Sequence, residues 1–299
     1  MRILITGGSG FVGQRLCAHL HERGHELLVV SRSPERARGV LPPGTEVRPE
    51  VQAFAEHQPE AIVNLAGDSI AEGRWTAAKK QRLLDSRLQT TQAVVALCGQ
   101  LEQPPRVLVS ASAMGYYGDQ GDREVTEDTP PNPEFVHELC ARWEAAAREA
   151  EAYGVRVALP RIGLVLDRDG GTLAKLLTPF RLGLGGPLGS GRQYMPWIHR
   201  TDLVRVILFL LERDDLAGPF NAAAPEPVTN AEFTRTLARH LNRPAILPAP
   251  APVLRLVFGE MARVLLTGAK MRPRRLQEAG FTFTYPTLDE ALSDILGRR

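Results

Sequence analysis

The 299-residue sequence predicts an α/β fold built on a doubly wound, parallel β-sheet. Three observations support this prediction. Short apolar runs recur along the chain, segments with helical spacing of apolar residues separate them, and the first run ends in a glycine-rich turn. Strands that alternate with helices form parallel sheets with right-handed crossovers, because each helix returns the chain to the start of the next strand.

The first strand, turn and helix occupy the N-terminus. Ile3-Leu4-Ile5 is typical of a short buried strand, and Gly7-x-x-Gly10-x-x-Gly13 follows it before an amphipathic helix. Glycine allows a sharp turn and the close approach of a pyrophosphate, and the helix N-terminus offers free N–H donors. The pattern therefore predicts a dinucleotide-binding turn, whose candidate residues are Gly7, Gly10, Phe11, Val12 and Gly13.

The remaining elements follow in alternation. Apolar runs predict strands over residues 27–30, 61–65, 107–110, 155–159 and 219–221. Helical spacing predicts helices over 79–98, 135–153 and 201–212, and a short one over 51–57. Residues 167–198 are glycine-rich and predict a loop-rich insertion. We expect a Rossmann-type domain over 1–166, continued by about 199–224, and a smaller, mostly helical C-terminal substrate lobe formed by 167–198 and 225–299.

The composition favours a small-molecule partner. The net charge is +2 and 43% of the residues are apolar, which gives no reason to expect nucleic acid or a membrane as partner. The longest apolar stretch, 206–211, is too short to span a bilayer. The three cysteines are far apart and lack metal-ligand spacing, and no signal peptide opens the sequence. We therefore expect a cytoplasmic protein without a metal site.

The end of the second strand predicts which nicotinamide cofactor binds. NAD-binding domains carry an acidic residue there, which accepts hydrogen bonds from the ribose hydroxyls. This sequence has Ser31-Arg32-Ser33 instead. Arginine binds a 2′-phosphate through charge-assisted hydrogen bonds, so NADP(H) is favoured over NAD(H). The alternative is that the arginines here, Arg38 above all, belong to a solvated loop.

Several motifs together resemble a known family. They are Thr6-Gly7-x-x-Gly10-x-x-Gly13, Asn64-Leu65-Ala66-Gly67, the segment from Ser110 to Gly118, Pro160-Arg161-Ile162-Gly163 and Trp197-Ile198-His199-x-x-Asp202. They resemble the extended short-chain dehydrogenase/reductase superfamily, in its NAD-dependent epimerase/dehydratase-like part. The glycine-rich stretch over 181–199 and the segment over 280–286 are most similar to the atypical branch typified by family 39U. The resemblance covers essentially the whole length.

The resemblance implies further site residues. On the cofactor side they are Leu65, Ala66, Gly67, Arg87, Ser110, Arg161 and Ile162. At the reacting end, Ser112 would hydrogen-bond the substrate oxygen, and Tyr117 is a plausible phenol beside it. Arg192, Trp197 and His199 are the candidate substrate contacts, under a glycine-rich lid. The alternatives stay open: Arg87 on a solvated helix face, His199 in a buried hydrogen bond, and the insertion as a packed connection without ligand contact.

One departure from the superfamily affects catalysis. Active members use a Tyr-x-x-x-Lys pair for proton transfer, and no tyrosine in this sequence has a lysine four residues later. If Glu144 is aligned with the acidic residue that usually follows the lysine, Val136 and Cys140 occupy the two positions. His137, Glu138, Tyr116, Tyr117, Cys140 and His199 are the candidate replacements, and the sequence does not choose among them.

Two classes of function remain. The first is an NADP(H)-dependent oxidoreductase or epimerase-like enzyme with a small-molecule substrate. The second is a non-catalytic NADP(H)-binding sensor or scaffold protein. The resemblance also leaves open a homodimer, formed through the helices over 79–98 and 135–153.

Overall fold

The computed structural model describes residues 1–297 and centres on an eight-stranded parallel sheet. The strands of the described chain are β1 (Arg2–Thr6), β2 (Glu26–Val30), β3 (Glu46–Arg48), β4 (Ala61–Asn64), β5 (Val107–Ser110), β6 (Ser112–Ala113), β7 (Glu124–Val125), β8 (Arg156–Ile162), β9 (Leu164–Asp167), β10 (Tyr194–Met195), β11 (Trp197–His199), β12 (Gly218–Ala222), β13 (Val228–Thr229) and β14 (Lys270–Met271). The central order is β12-β8-β5-β4-β1-β2-β3, and β6 also pairs with β8. This confirms the predicted fold class.

Helices cover both faces of the sheet. They are α1 (Phe11–Glu22), α2 (Pro34–Arg38), α3 (Ala77–Gln100), α4 (Phe135–Arg148), α5 (Gly171–Arg181), α6 (Arg200–Glu212), α7 (Asn230–Leu241), α8 (Ala251–Phe258), α9 (Ala262–Leu266), α10 (Arg274–Glu278) and α11 (Leu288–Gly297). One core layer joins α1 and α6 to the sheet, and the other joins α3 and α4. The central strands are apolar throughout because both of their faces are buried.

The carboxyl ends of the central strands lie side by side. Thr6 pairs with Val30 on one side and with Asn64 on the other, and Asn64 pairs with Ser110. The loops that follow β1, β2, β4 and β5 therefore leave the sheet at one edge. Ligands of open α/β sheets bind at this edge.

Strand β3 and helix α5 are among the elements that the sequence pattern did not predict. Strand β3 forms the sheet edge beyond β2. Helix α5 lies inside the insertion that we expected to be loop-rich, and it buries Leu173, Leu177 and Phe180. It packs with α7 and α11 around Trp197 to form a separate apolar core. The predicted boundaries between the two lobes remain a prediction.

The C-terminal segment returns to the central sheet. From α10, Arg275 Nη1 donates to the carbonyl of Pro219 (2.6 Å), and Nη2 donates to the carbonyl of Ala217 (2.8 Å). These bonds cover the start of β12, the strand at one edge of the sheet. Within residues 1–297, none of the helices combines the length and the apolar content that crossing a membrane requires.

Candidate cofactor and active site

The glycine-rich turn after β1 is closely packed backbone. Gly7 has φ +70°, and a Cβ atom there would lie 2.8 Å from the carbonyl carbon of Leu65. A Cβ atom at Gly13 would lie 2.2 Å from the oxygen of Gly7, the same oxygen that accepts a hydrogen bond from the Gly10 N–H (3.0 Å). A side chain at Gly7 would therefore collide with the loop after β4, and one at Gly13 would collide with the turn itself.

Helix α1 begins with free donors. Gly10 occupies the N-cap position and carries no side chain that caps the helix, and the first turn holds no acidic residue. The ring of Phe11 packs instead against Gly170, where a Cβ atom would lie 2.5 Å from the ring, and the Arg200 guanidinium lies 4.8 Å from the ring centre. Val12 packs against the core. The N–H groups of this first turn are thus available to an anion such as a pyrophosphate.

A buried polar network fixes the strand ends beside this turn. Thr6 Oγ1 donates to Asn64 Oδ1 (2.6 Å), and Asn64 Nδ2 donates to Ser110 Oγ (3.0 Å). The backbone N–H of Leu65 donates to the Thr6 carbonyl (3.1 Å), and that of Ala66 donates to Thr6 Oγ1 (3.2 Å). Ser110 is fully buried in this network, so it positions the loop at Leu65 and Ala66.

The end of β2 presents an exposed arginine. The Arg32 side chain is 91% exposed, and its Nη2 lies 3.6 Å from Oδ1 of Asp68. The N–H of Ser33 donates to Ser31 Oγ (3.3 Å), which shapes the backbone around Arg32. Arg38 differs, because its guanidinium bonds Glu35 and the Val47 carbonyl. The solvated-loop interpretation therefore fits Arg38, while Arg32 is free to reach a ligand.

Arg87 is half-buried beside the loop after β4. A Cβ atom at Gly67 would lie 3.0 Å from Arg87 Cζ. Arg87 Nη2 donates to the Asp68 carbonyl (3.1 Å), and its Cζ lies 5.1 Å from the centre of the Trp143 ring. Burial lowers the pKa of Arg87 from its ordinary value. The side chain thus packs against the loop after β4, and the alternative of a solvated helix face does not describe it.

Val136 and Cys140 stand together on the face of α4 that meets the 3₁₀ turn Met114–Tyr117. A Cβ atom at Gly115 would lie 3.1 Å from Val136 Cβ and 3.6 Å from Cys140 Sγ. Burial raises the pKa of the Cys140 thiol to about 12, so the thiol stays protonated at neutral pH. Neither side chain supplies a readily transferable proton.

Ser112 belongs to a buried ionic network. Its hydroxyl donates to Glu144 Oε1 (2.7 Å), and Arg161 binds both carboxylate oxygens of Glu144 (2.8 and 2.9 Å). Arg161 Nη1 also donates to the Tyr117 hydroxyl (2.9 Å), which donates in turn to Asn221 Oδ1 (2.6 Å). The chain of bonds therefore runs from β6 through α4 and β8 to β12.

This network changes the roles expected of Arg161 and Tyr117. Arg161 is 3% exposed and all three of its guanidinium nitrogens donate to partners within the protein. Tyr117 is fully buried, and burial raises the pKa of its phenol. The geometry gives both residues a structural task, because buried donors and acceptors that satisfy each other have little left for a ligand. Ile162, which follows Arg161, is half-buried in β8.

The candidate substrate residues lie in different environments. Arg192 is exposed. Trp197 is only 1% exposed and packs in the apolar core that α5, α7 and α11 share. Trp197 therefore contributes apolar surface to that core, where we expected it to contact a substrate.

His199 also points inward. Its Nδ1 accepts from the Thr201 N–H (3.1 Å) and caps α6, while Nε2 lies 3.4 Å from Asp294 Oδ2. Burial lowers the pKa of His199. An Nδ1 that accepts leaves the proton on Nε2, facing the carboxylate. This geometry fits the alternative of a buried hydrogen bond.

Sequence reasoning missed two acidic residues of the site. Glu144 served only as an alignment anchor, yet it joins Ser112 to Arg161. Asp68 follows Gly67 directly, and it faces Arg32 with its carboxylate and Arg87 with its carbonyl. Its position directly after Gly67 was the feature of the sequence that could have identified Asp68 as a site residue.

Comparisons with known proteins show which family the chain resembles along its length. A model of the NAD-dependent epimerase/dehydratase family matches residues 3–223, and a model of a domain of unknown function, DUF1731, matches residues 249–295. The mouse epimerase family protein SDR39U1 is 39% identical over 99% of this chain and 100% of its own. An epimerase family protein of Mycobacterium bovis is 41% identical over 97% and 96%. The crystal structure of human SDR39U1 with NADPH is 39% identical, with a TM-score of 0.91 and full coverage of both chains.

Proposed function

The chain belongs to the NAD-dependent epimerase/dehydratase family, and from this premise we propose that it binds NADP(H) at the carboxyl edge of its sheet. We further propose that it acts on a small molecule as an oxidoreductase or epimerase-like enzyme. Human SDR39U1 was crystallised with NADPH. That finding supports the same cofactor here, because the two chains share their full length.

The observation that carries the proposal is the end of β2. A 91% exposed Arg32 stands where NAD-binding domains carry a carboxylate. The free N–H groups at the start of α1 and the close packing at Gly7 and Gly13 provide a matching place for the pyrophosphate. Arg32 with Ser31 and Ser33 would hold the 2′-phosphate.

NADP(H), when bound, would supply or accept the hydride. The chain's own residues would orient the substrate. The Ser112 hydroxyl donates a hydrogen bond to Glu144, so a lone pair of its oxygen would be left to accept a hydrogen bond from a substrate hydroxyl. Val136 and Cys140 occupy the positions of the usual tyrosine and lysine, so we propose that water provides or takes the proton.

One observation favours the second candidate function, a non-catalytic NADP(H)-binding sensor or scaffold. The polar groups closest to Ser112 satisfy one another, and the Cys140 thiol is held protonated. Such a protein would bind NADPH with the same preference and would leave every carbonyl substrate unreduced. Turnover of NADPH therefore separates the two candidates.

The first experiment is a calorimetric titration with NADPH and, separately, with NADH. We expect NADPH to bind at least ~10-fold tighter, a difference of about 1.4 kcal/mol, and Arg32→Ala to abolish the difference. Arg38→Ala is the matched control, because its guanidinium is already bonded within the loop. If neither nucleotide binds, the proposed function is wrong.

Two further expectations remain proposals. We propose a cytoplasmic location, which the burial of the free cysteines Cys17, Cys98 and Cys140 supports. We also keep the proposal that two copies pair through α3 and α4. Light scattering of the protein, with and without NADPH, would test the pairing.

A further inference from the structure

We propose that an exposed apolar patch in the C-terminal half of the chain docks onto the surface of a membrane that contains anionic phospholipids. The patch consists of seven aliphatic side chains: Leu182, Leu184, Ile246, Leu247, Val253, Leu256 and Val257. The chain would lie on the membrane surface and would not span the bilayer. This inference is independent of the proposed function, because it needs no cofactor.

The patch gathers most of the large hydrophobic side chains that face solvent. Among residues 1–297, nine such side chains are exposed, and seven of them belong to the patch. The other two, Val40 and Tyr153, are far from it and from each other in the sequence. Single exposed apolar residues are ordinary, whereas a group of them marks a contact site for a protein or a membrane. The overall composition predicted no membrane partner because it does not show where apolar residues are exposed.

Two stretches of the chain that lie side by side carry the first four patch residues. The Leu247 N–H donates to the Gly185 carbonyl (3.2 Å), and Arg243 Nε donates to the Arg181 carbonyl (2.9 Å). Helix α8, which carries the other three patch residues, begins four positions after Leu247. Hydrogen bonds therefore hold the two stretches together at the start of α8.

Helix α8 turns an apolar face to solvent. Val253, Leu256 and Val257 are three and four positions apart, so they share one face of the helix. Leu256 is 76% exposed, while Leu254 is buried. A surface helix of a globular protein usually directs its apolar face to the core and its polar face to water. The outer face of α8 is therefore suited to an apolar surface outside the chain.

The charges that accompany the patch along the chain have one sign. Residues 170–201 and 233–259 contain no aspartate or glutamate. Glu260, the next carboxylate after α8, is already bonded to Lys80 (2.5 Å). Three exposed arginines lie in these stretches close to the patch residues: Arg181, Arg243 and Arg255.

The single sign of charge selects a lipid surface as the occupant. A symmetric pair of copies would bring the same arginines face to face, and like charges oppose docking. A membrane with anionic lipids attracts arginines instead, and the boundary between its headgroups and acyl chains accepts aliphatic side chains. The combination of exposed aliphatic residues with arginines therefore fits such a membrane.

The test is co-sedimentation of the full chain with two kinds of vesicle, one of phosphatidylcholine alone and one of equal parts phosphatidylcholine and phosphatidylglycerol. We expect the chain to bind the mixed vesicles at least ~10-fold tighter, because their surface attracts the arginines. Binding should weaken as the salt concentration rises, since salt screens exposed charges. Equal binding to the two kinds of vesicle, or binding to neither, would overturn the proposal.

Two variants separate the apolar contribution from the charged one. Leu256→Glu places a carboxylate on the outer face of α8 and should weaken binding to the mixed vesicles at least ~10-fold. Val40→Glu is the matched control, because Val40 is 47% exposed and lies outside the patch, and it should bind like the parent chain. Arg255→Gln should weaken binding to the mixed vesicles about fivefold and leave binding to phosphatidylcholine unchanged.

Parent-like binding of Leu256→Glu would contradict the proposal. Light scattering without vesicles tests the rival occupant: a mass that falls from two chains to one in Leu256→Glu would mean that a second copy covers the patch. If Leu256→Glu lowers the free energy of unfolding, Ile246→Glu decides by the same criterion, because Ile246 is 77% exposed in the neighbouring stretch.

Discussion

Arg32 and Arg161 carry the same side chain in opposite surroundings. Arg32 is 91% exposed and has one carboxylate 3.6 Å away. Arg161 is 3% exposed, and its three nitrogens bond Glu144, Tyr117 and the Glu127 carbonyl. Buried polar groups that satisfy one another hold a fold together, whereas groups left open at a strand end are available to a ligand. The comparison shows that a ligand-binding residue is recognised by the hydrogen-bonding groups that its partners within the protein leave available.

The largest expected effect comes from removing the buried ion pair of Arg161 and Glu144. Arg161→Met removes the partner of Glu144, a carboxylate that is 5% exposed. Leaving one charge of a buried pair unpaired costs about 3–5 kcal/mol, so we expect the free energy of unfolding to fall by that amount in urea denaturation. The double variant Arg161→Met with Glu144→Gln should recover part of the loss.

Arg32→Ala is the control for that measurement, because an exposed arginine contributes little to the free energy of unfolding. A loss below about 1 kcal/mol for Arg161→Met would mean that the pair does not hold the sheet edge together.

Gly13→Ala tests the other region of the comparison, the proposed cofactor site that contains the exposed Arg32. A Cβ atom 2.2 Å from the Gly7 oxygen forces the turn away from α1. We expect NADPH affinity to fall ~100-fold, about 2.7 kcal/mol, in a calorimetric titration. Gly39→Ala is the matched control, since its Cβ atom would lie 3.5 Å from the nearest backbone oxygen. Equal NADPH affinity in the two variants would show that the turn does not contact the pyrophosphate.

A smaller effect is expected at the partner of Arg32. Asp68→Asn removes the negative charge that attracts the guanidinium and would repel a 2′-phosphate. Exposed ion pairs are worth about 0.2–1 kcal/mol, so NADPH should bind up to ~5-fold tighter while NADH gains nothing. The control is Asp215→Asn, which removes an exposed carboxylate bonded to Arg213. Weaker NADPH binding would instead mean that Asp68 positions Arg32 for the phosphate.

The smallest expected effect is the pH dependence that buried His199 gives to the free energy of unfolding. Burial lowers the pKa of His199 from its ordinary value of 6.5. Below about pH 6.5 the unfolded chain takes up a proton that the folded chain resists, so the free energy of unfolding falls as the pH drops. His199→Asn keeps an acceptor for the Thr201 N–H and removes the titration. We expect the fall between about pH 7.5 and 5.5 to be smaller in this variant, and equal slopes would contradict the assignment.

Local patterns predicted most of the fold. The glycine turn and the strands over 61–64 and 107–110 were predictable because a buried strand in a two-sided sheet is apolar along its length. Strand β3 was missed because its only buried residue is Val47, between the charged Glu46 and Arg48. Helix α5 was missed because it begins at Gly171 and contains Pro179, both unfavourable in helices.

The candidate site was predicted less completely, for a physical reason. The dinucleotide turn is one continuous segment, so its spacing is visible in the sequence. The pair of Glu144 and Arg161 joins α4 to β8 across 17 positions, and nothing local signals that the two side chains meet. Exposure was equally invisible, so Arg32, argued from the end of the second strand, and Arg161, implied by the family resemblance, were both expected to bind the cofactor.

The two hydrogen bonds from Arg275 to the carbonyls of Ala217 and Pro219 have a consequence for shortened forms of the chain. A fragment that ended at residue 223, where the family match ends, would keep the whole central sheet and lose the segment that covers β12. Uncovered edge strands pair with the edges of other molecules. Such a fragment is therefore expected to aggregate. A chain that keeps the C-terminal helices should remain monodisperse at the same concentration.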